Sequence, residues 1–189
     1  MGADPAGAAD VVAGVLAGDP VASDHLHGLH SFMLALAGRS AAALEVGEEL
    51  VENPAAHPLA RTFAATGVVP ALYWLGRNRR AGELADAIAP VAASVRELFP
   101  AGAGAIALMG ICALIELGAL DEAEERSRHM QAQAAADGDP FAAPRAEYCL
   151  ARVALSRGQP VTALRGFQRC LAALSPFDRA FVRHISSML

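Results

Sequence analysis

Lysine is missing altogether: all fifteen basic residues are arginine. That excludes a Walker-type phosphate loop, which needs its lysine, and any enzyme working through a lysine Schiff base. Aromatic residues make up only 5% of the chain, which suits thin helix–helix seams better than a bulky sheet sandwich. Long β-branched runs of alternating polarity are lacking, so no sheet is predicted. Cysteine is scarce: Cys112, Cys149 and Cys170 are far apart and form no C-x-x-C. They read as small core residues in a reducing compartment rather than a disulfide framework. Basic surplus is lacking as well, since the net charge is −5, which argues against a general nucleic-acid binder. Met1-Gly2-Ala3-Asp4-Pro5 carries neither a basic segment nor an apolar stretch of the exported kind, and a cytoplasmic location is expected.

A membrane span is the next class to weigh, because Leu98 to Ile115 carries no charge until Glu116. Pro100 delays the helix to about Ala101, leaving roughly 15 residues, or about 22 Å at about 1.5 Å per residue. A bilayer core of about 30 Å is thicker than that, so a buried helix is expected and no membrane.

What is present is a recurring phrase, clearest at Glu116-Leu117-Gly118-Ala119-Leu120-Asp121-Glu122-Ala123-Glu124. An apolar run precedes it, and Gly118 is expected to end that helix with a positive φ. Asp121 and Glu122 then suit the positive end of the next helix dipole. The same glycine, followed five residues later by alanine, recurs as Gly38 with Ala43, Gly76 with Ala81 and Gly158 with Ala163. Successive glycines lie 38, 42 and 40 residues apart, a period that marks stacked repeats. The fold class expected is therefore all-α: stacked antiparallel helical hairpins, about four repeats of roughly 40 residues, as one domain over 1–189.

Along the chain, residues 1–7 read as frayed and Ala8–Ala17 as a short helix closed by Gly18-Asp19-Pro20. Ser23 or Asp24 caps a helix through Ala37, and its return helix ends near Asn53-Pro54. Further pairs are Leu59–Leu75 with Arg79–Leu98, Ala101–Leu117 with Asp121–Ala136, and Phe141–Arg157 with Pro160–Leu174. Pro70 and Pro90 fall inside helices and each removes a backbone donor, which should kink them. Asp137-Gly138-Asp139-Pro140 reads as a loop, and Ser175-Pro176 opens a last, rather apolar helix, Phe177–Leu189. Both ends look like cuts through a longer array.

On a tetratricopeptide frame, Ala43, Ala81, Ala123 and Ala163 resemble the small residue of the second helix. Leu34, Leu72, Leu114 and Ala154, nine residues earlier, resemble the packing position near the end of the first. Repeats near 40 rather than 34 residues, without the consensus tryptophan and tyrosine, depart from that frame. The longer, alanine- and arginine-rich version is similar to the helical-repeat region of actinobacterial LuxR-type, maltose-regulator-like transcriptional regulators. "LALAGRSAAAL" from Leu34, "LIELGALDEAEE" from Leu114 and "LARVALSRGQPVTALRGF" from Leu150 carry that resemblance. In that family an ATPase module precedes the repeats and a helix-turn-helix follows them; this chain contains neither motif. The resemblance implies a sensing or protein-interaction scaffold segment of a regulator, binding its ligand or partner in a concave groove. A stand-alone tetratricopeptide adaptor that captures a partner peptide is the alternative.

Candidate chemistry is sparse. His25, His27 and His30 cluster, but only His27 and His30 share a helix face, so capping or solvated histidines are favoured over a metal site. Gly102-Ala103-Gly104-Ala105-Ile106-Ala107 imitates a dinucleotide fingerprint without the strand before it, and reads as close helix packing. Arg77, Arg79 and Arg80 complement the end of the preceding helix, with an acidic partner as the alternative. Glu122 and Arg126 are an i, i+4 pair in a solvated turn. No catalytic constellation is found, so no enzyme activity and no cofactor are expected.

Arg145, Tyr148 and Arg152, spaced by three and four, are expected to share a helix face offset from Leu150 and Val153. On the tetratricopeptide frame that face lines the groove, with His25, Phe32 and Phe63 at matching positions and Tyr73, Trp74 and Glu116 one turn on. Such a groove suits a protein or peptide partner or a small anionic ligand. The face is expected to be functional surface rather than core. No direct nucleic-acid contact is expected, and self-association stays open.

Overall fold

The computed structural model describes residues 4–18, 23–137 and 141–174. The Gly18-Asp19-Pro20 closure, the 137–140 loop and the expected Phe177–Leu189 helix with Ser175-Pro176 lie wholly or partly outside them. Among the described residues there is no strand, and the chain is all-α. The helices are α1 (Pro5–Gly18), α2 (Asp24–Leu36), α3 (Ser40–Glu52), α4 (Pro58–Trp74), α5 (Asn78–Ser94), α6 (Pro100–Glu116), α7 (Leu120–Asp137), α8 (Ala142–Ser156) and α9 (Pro160–Leu174).

The four phrase glycines all hold a positive φ, between 73° and 78°, and each does so just past the end of a helix. The hydrogen bonds around them are the same each time. Gly38 N–H donates to Ala35 O at 3.0 Å and Arg39 N–H to Leu34 O at 2.9 Å. Gly76 and Arg77 repeat this onto Tyr73 and Leu72, Gly118 and Ala119 onto Ile115 and Leu114, Gly158 and Gln159 onto Leu155 and Ala154. This pair of bonds is a Schellman closure, which satisfies carbonyls that the helix end would leave orphaned. The residue after glycine then serves the next helix: its carbonyl accepts from the repeat alanine, as in Ala123 N–H to Ala119 O at 3.0 Å. All four alanines are buried at the base of the turn.

Some boundaries differ from expectation for local reasons. Helix α1 starts at Pro5 rather than Ala8, because Asp4 caps it: Gly7 N–H donates to Asp4 Oδ1 at 3.0 Å, and Pro5 suits the first helical position. Helix α5 ends at Ser94 rather than Leu98. Residues 95–98 tighten into turns, with Leu98 and Phe99 N–H both bonding Val95 O. Pro100 disfavours helical backbone at Phe99, whose ring instead packs 4.7 Å from that of Phe63. Helices α4 and α5 each run through their internal prolines, Pro70 and Pro90.

The chain divides into two compact units, Met1–Gly110 and Ile111–Leu189. In the first, α4 is central: it packs against α2, α3 and α5, and buries residues round most of its circumference. Small residues permit that. A Cβ built on Gly67 would lie 2.6 Å from Ser31 O, and one on Gly28 would lie 2.5 Å from Ala60 O. Gly47 closes onto Ser31 and Val68 in the same way, and Ser31 Oγ donates to Ala43 O at 2.8 Å. In the second unit, α8 packs against α7 and α9. Pairs symmetric about Gly158 show that α8 and α9 run antiparallel: Glu147 with Arg169, Pro144 with Cys170, Ala151 with Gly166.

Nothing lies within 4 Å of a Cβ placed on Gly118, so a substitution there tests backbone conformation alone. Gly118→Val is expected to cost roughly 1–2 kcal/mol, the left-handed penalty for a residue with a Cβ. Thermal denaturation checks this, and an unchanged Tm would contradict it.

Candidate functional site

Four of the expected site residues belong to the second unit, and three of them meet. Arg152 of α8 forms an ion pair with Glu116 at the end of α6. Its Cζ lies 5.9 Å from the ring centre of Tyr148, one turn earlier on the same face. Arg145 is one turn further back, its Cζ 5.6 Å from the ring centre of Phe141. The 3-and-4 spacing therefore places the set on one face as expected, but with Arg145 and Arg152 half-buried and Tyr148 buried. Tyr148 is only 2% exposed and packs with Phe167 at 5.9 Å between ring centres, so it is a core residue and not groove lining. The Arg152 side chain is 12% exposed, whereas Glu116 keeps 42%. The physical reason is that α8 has neighbours on both sides. Its buried stripe takes in Tyr148, Cys149 and Ala151 as well as Val153, wider than a two-helix seam requires.

Beneath Arg152 lie groups that sequence reasoning assigned only to packing. Cys112, one turn before Glu116 on α6, is hydrogen bonded to Cys149 of α8 and lies beside Arg152. Accepting that bond holds the Cys112 thiol below the usual cysteine range, against the opposing effect of burial, with Arg152 adding to the lowering. Burial pushes Cys149 well up, and its bond to Cys112 adds to the rise. Ser127 of α7, whose Oγ donates to Ala123 O at 2.6 Å, is also a hydrogen-bonding neighbour of Cys149. Cys170 differs: burial raises its thiol to about 12, and its Sγ donates to Pro144 O at 3.1 Å. Cys112 and Cys149 are separated by close to one repeat, which sets them at similar places in successive hairpins but does not by itself bring them together.

At the end of α8, Arg157 pairs with both Asp121 and Glu124 in the first turns of α7, and Arg128 also pairs with Glu124. The Arg157 bond, the largest contribution, holds the Glu124 carboxyl below its usual range. Glu122 and Arg126 form the expected i, i+4 pair at 2.7 Å.

The other two expected residues, Tyr73 and Trp74, belong to the first unit. They end α4 and meet edge to face, with ring centres 5.0 Å apart. Trp74 is 53% exposed, and Leu36 and Leu75 beside the first two glycine turns are similarly open. Arg80 pairs with Glu52, at a cavity of about 310 Å³ that Arg61, Val51 and Leu84 also line. His25 packs against His57 with the rings tilted and their centres 4.8 Å apart, and His57 caps α4 by accepting from Leu59 N–H at 3.2 Å. Gly102 lies inside α6, where a Cβ would meet the Phe99 ring at 2.6 Å, so it serves close packing.

Among the described residues no three His, Cys, Asp or Glu side chains form a metal-binding group, and no helix is long and apolar enough to cross a membrane. The sequence matches no family model and no curated protein.

Reversing one charge tests whether Arg152 serves the core. Arg152→Glu sets a carboxylate against Glu116 and removes the cation beside Cys112. Stability is expected to fall by roughly 1–3 kcal/mol, the cost of leaving a charged hydrogen-bonding group without its partner. Urea denaturation of the variant measures it, and an unchanged midpoint would return Arg152 to the surface.

Proposed function

We propose that the chain is a sensing or protein-interaction segment of a LuxR-type transcriptional regulator, built as a tetratricopeptide-like stack of helical hairpins. One observation carries this reading: four glycine turns with the same hydrogen bonds and the same buried alanine recur 38, 42 and 40 residues apart. A chain that repeats its turn this faithfully presents repeated helix faces, and such faces serve binding in arrays of this kind. The resemblance of "LIELGALDEAEE" and its counterparts points to the regulator.

The binding surface on this reading centres on Trp74 and Tyr73 rather than on Tyr148. An exposed tryptophan flanked by a tyrosine and an open leucine has the composition of an interface hot spot. The partner is a protein or peptide with an apolar anchor. A small anionic ligand would instead draw on the arginines, as at the cavity that Arg61 and Arg80 line. DNA contact falls to another part of the regulator, because the chain has net charge −5.

Native mass spectrometry of the chain purified from its own host separates these cases by showing a bound protein, peptide or small molecule. Trp74→Ala is expected to change stability by under about 0.5 kcal/mol, as for an exposed position. It is expected to weaken the captured protein or peptide by at least about tenfold. Undiminished capture would move the interface elsewhere.

The chain on its own is expected to leave no footprint on duplex DNA at physiological salt. A defined footprint would overturn the assignment to the non-DNA-reading segment.

A further inference from the structure

We propose that the cavity lined by α3, α4 and α5 is a binding site for a short aliphatic carboxylate, with Arg61 holding the carboxylate group. The cavity has a volume of about 310 Å³ and lies wholly within the first unit. That is near the lower limit for small-molecule sites, roughly 300–1,000 Å³. At about 30 Å³ per liquid water it has the volume of about ten waters, so its ligand is a compact molecule.

The lining divides by chemistry. Val51 near the end of α3 and Leu84 and Ile88 of α5 are buried and form an aliphatic floor. Arg80, Leu84 and Ile88 follow at intervals of four, so one face of α5 passes from charge to hydrocarbon. Glu52 and Ala87 are exposed, and the cavity opens to solvent on their side. Among the described residues no aromatic side chain lines it, so a flat ring finds nothing to stack on.

The two arginines differ in what they have left to give. Arg80 is committed to Glu52 in an ion pair at the exposed rim. Arg61 is half-buried, and its Nε donates to Val51 O at 3.0 Å, a carbonyl in the last turn of α3. That bond fixes the guanidinium at the cavity wall. Among the described residues Arg61 has no other hydrogen bond and no ion pair, so its terminal nitrogens are left for a ligand. Two arginines against one glutamate leave the lining with one positive charge. A fixed guanidinium takes a carboxylate by parallel N–H···O bonds. Inorganic phosphate would meet the same cation but leave the aliphatic floor unused. A neutral chain would use the floor and leave the cation without a partner.

The small anionic ligand considered above thereby gains a chemical class, and the site rests on that alternative rather than on the Trp74 surface. Titration of the folded full chain with acetate, butyrate and hexanoate, followed by methyl NMR, tests it. Saturable binding that tightens with chain length is expected, with the shifts concentrated at Val51, Leu84 and Ile88. Hexanoate should bind at least about tenfold more tightly than hexanol, which lacks the charge, or inorganic phosphate, which lacks the chain. Arg61→Gln should weaken hexanoate at least about tenfold. Ala87→Leu, which fills the mouth from an exposed position, should do the same with Tm unchanged. Trp74→Ala should leave hexanoate binding as it is, which separates this site from the Trp74 surface. No saturation by any of the three carboxylates, hexanol or phosphate bound as tightly as hexanoate, or undiminished binding by either cavity variant would each overturn the proposal. Ala87→Leu decides the matter even if Arg61→Gln, which removes the bond to Val51 O, fails to fold.

Discussion

Each first helix in the described hairpins must end in a left-handed residue, and the rest of the packing follows from that constraint. Only glycine takes the conformation without a Cβ clash. Once Gly38, Gly76, Gly118 and Gly158 are so placed, the amide of each glycine and that of the residue after it bond back onto the helix just finished. The same short turn launches the following helix with no room for a linker. The residue that meets the base of the turn must then be small, and it is alanine each time. Arg39 and Arg77 act as N-caps without a side-chain bond to the helix they start, a role that usually goes to serine or aspartate. They manage it because the Schellman bonds already fix their backbone.

Close approach has a second consequence, in the treatment of buried polar groups. Seams built on Gly28, Gly47, Gly67 and Gly166 leave little space for water. The buried hydroxyls therefore bond to nearby backbone: Ser31 to Ala43 O, Thr62 to Pro58 O, Thr66 to Phe63 O, Ser127 to Ala123 O. Each satisfies its donor locally and so avoids the cost of a buried polar group without a partner. Arginine takes the longer reaches. Arg80 to Glu52, Arg152 to Glu116, Arg157 to Asp121 and Arg169 to Glu147 each join two helices across a seam. At the half-exposed pairs the contribution to stability is small, because solvent screens them.

That distinction separates two kinds of candidate surface. Arg152 is held over Cys112 by an ion pair and lies against a buried tyrosine, so its charge acts inward. Trp74 lies largely open at the end of α4, so its apolar area acts outward. The first arrangement tunes a thiol and the second offers a contact. A residue's type was a poor guide to which role it plays: an arginine pair had suggested surface, and a tryptophan is ordinarily drawn inside.

How much was legible depended on the range of the interaction. Turns and helix ends are decided within about six residues, so the glycine–alanine phrase located all four hairpin turns and most helix limits from residue types alone. The α1 start was equally local, written in Asp4-Pro5, and the α5 end was signalled by Pro100. Period and spacing also placed Arg145, Tyr148 and Arg152 on one face of α8. Burial of that face could not be read from the chain, because it depends on how many helices surround α8 and not on α8 itself. The meeting of Cys112 with Cys149 was likewise beyond reach of spacing. A separation of 37 residues gives one repeat, but only the packed register of two helices decides whether two thiols on them touch.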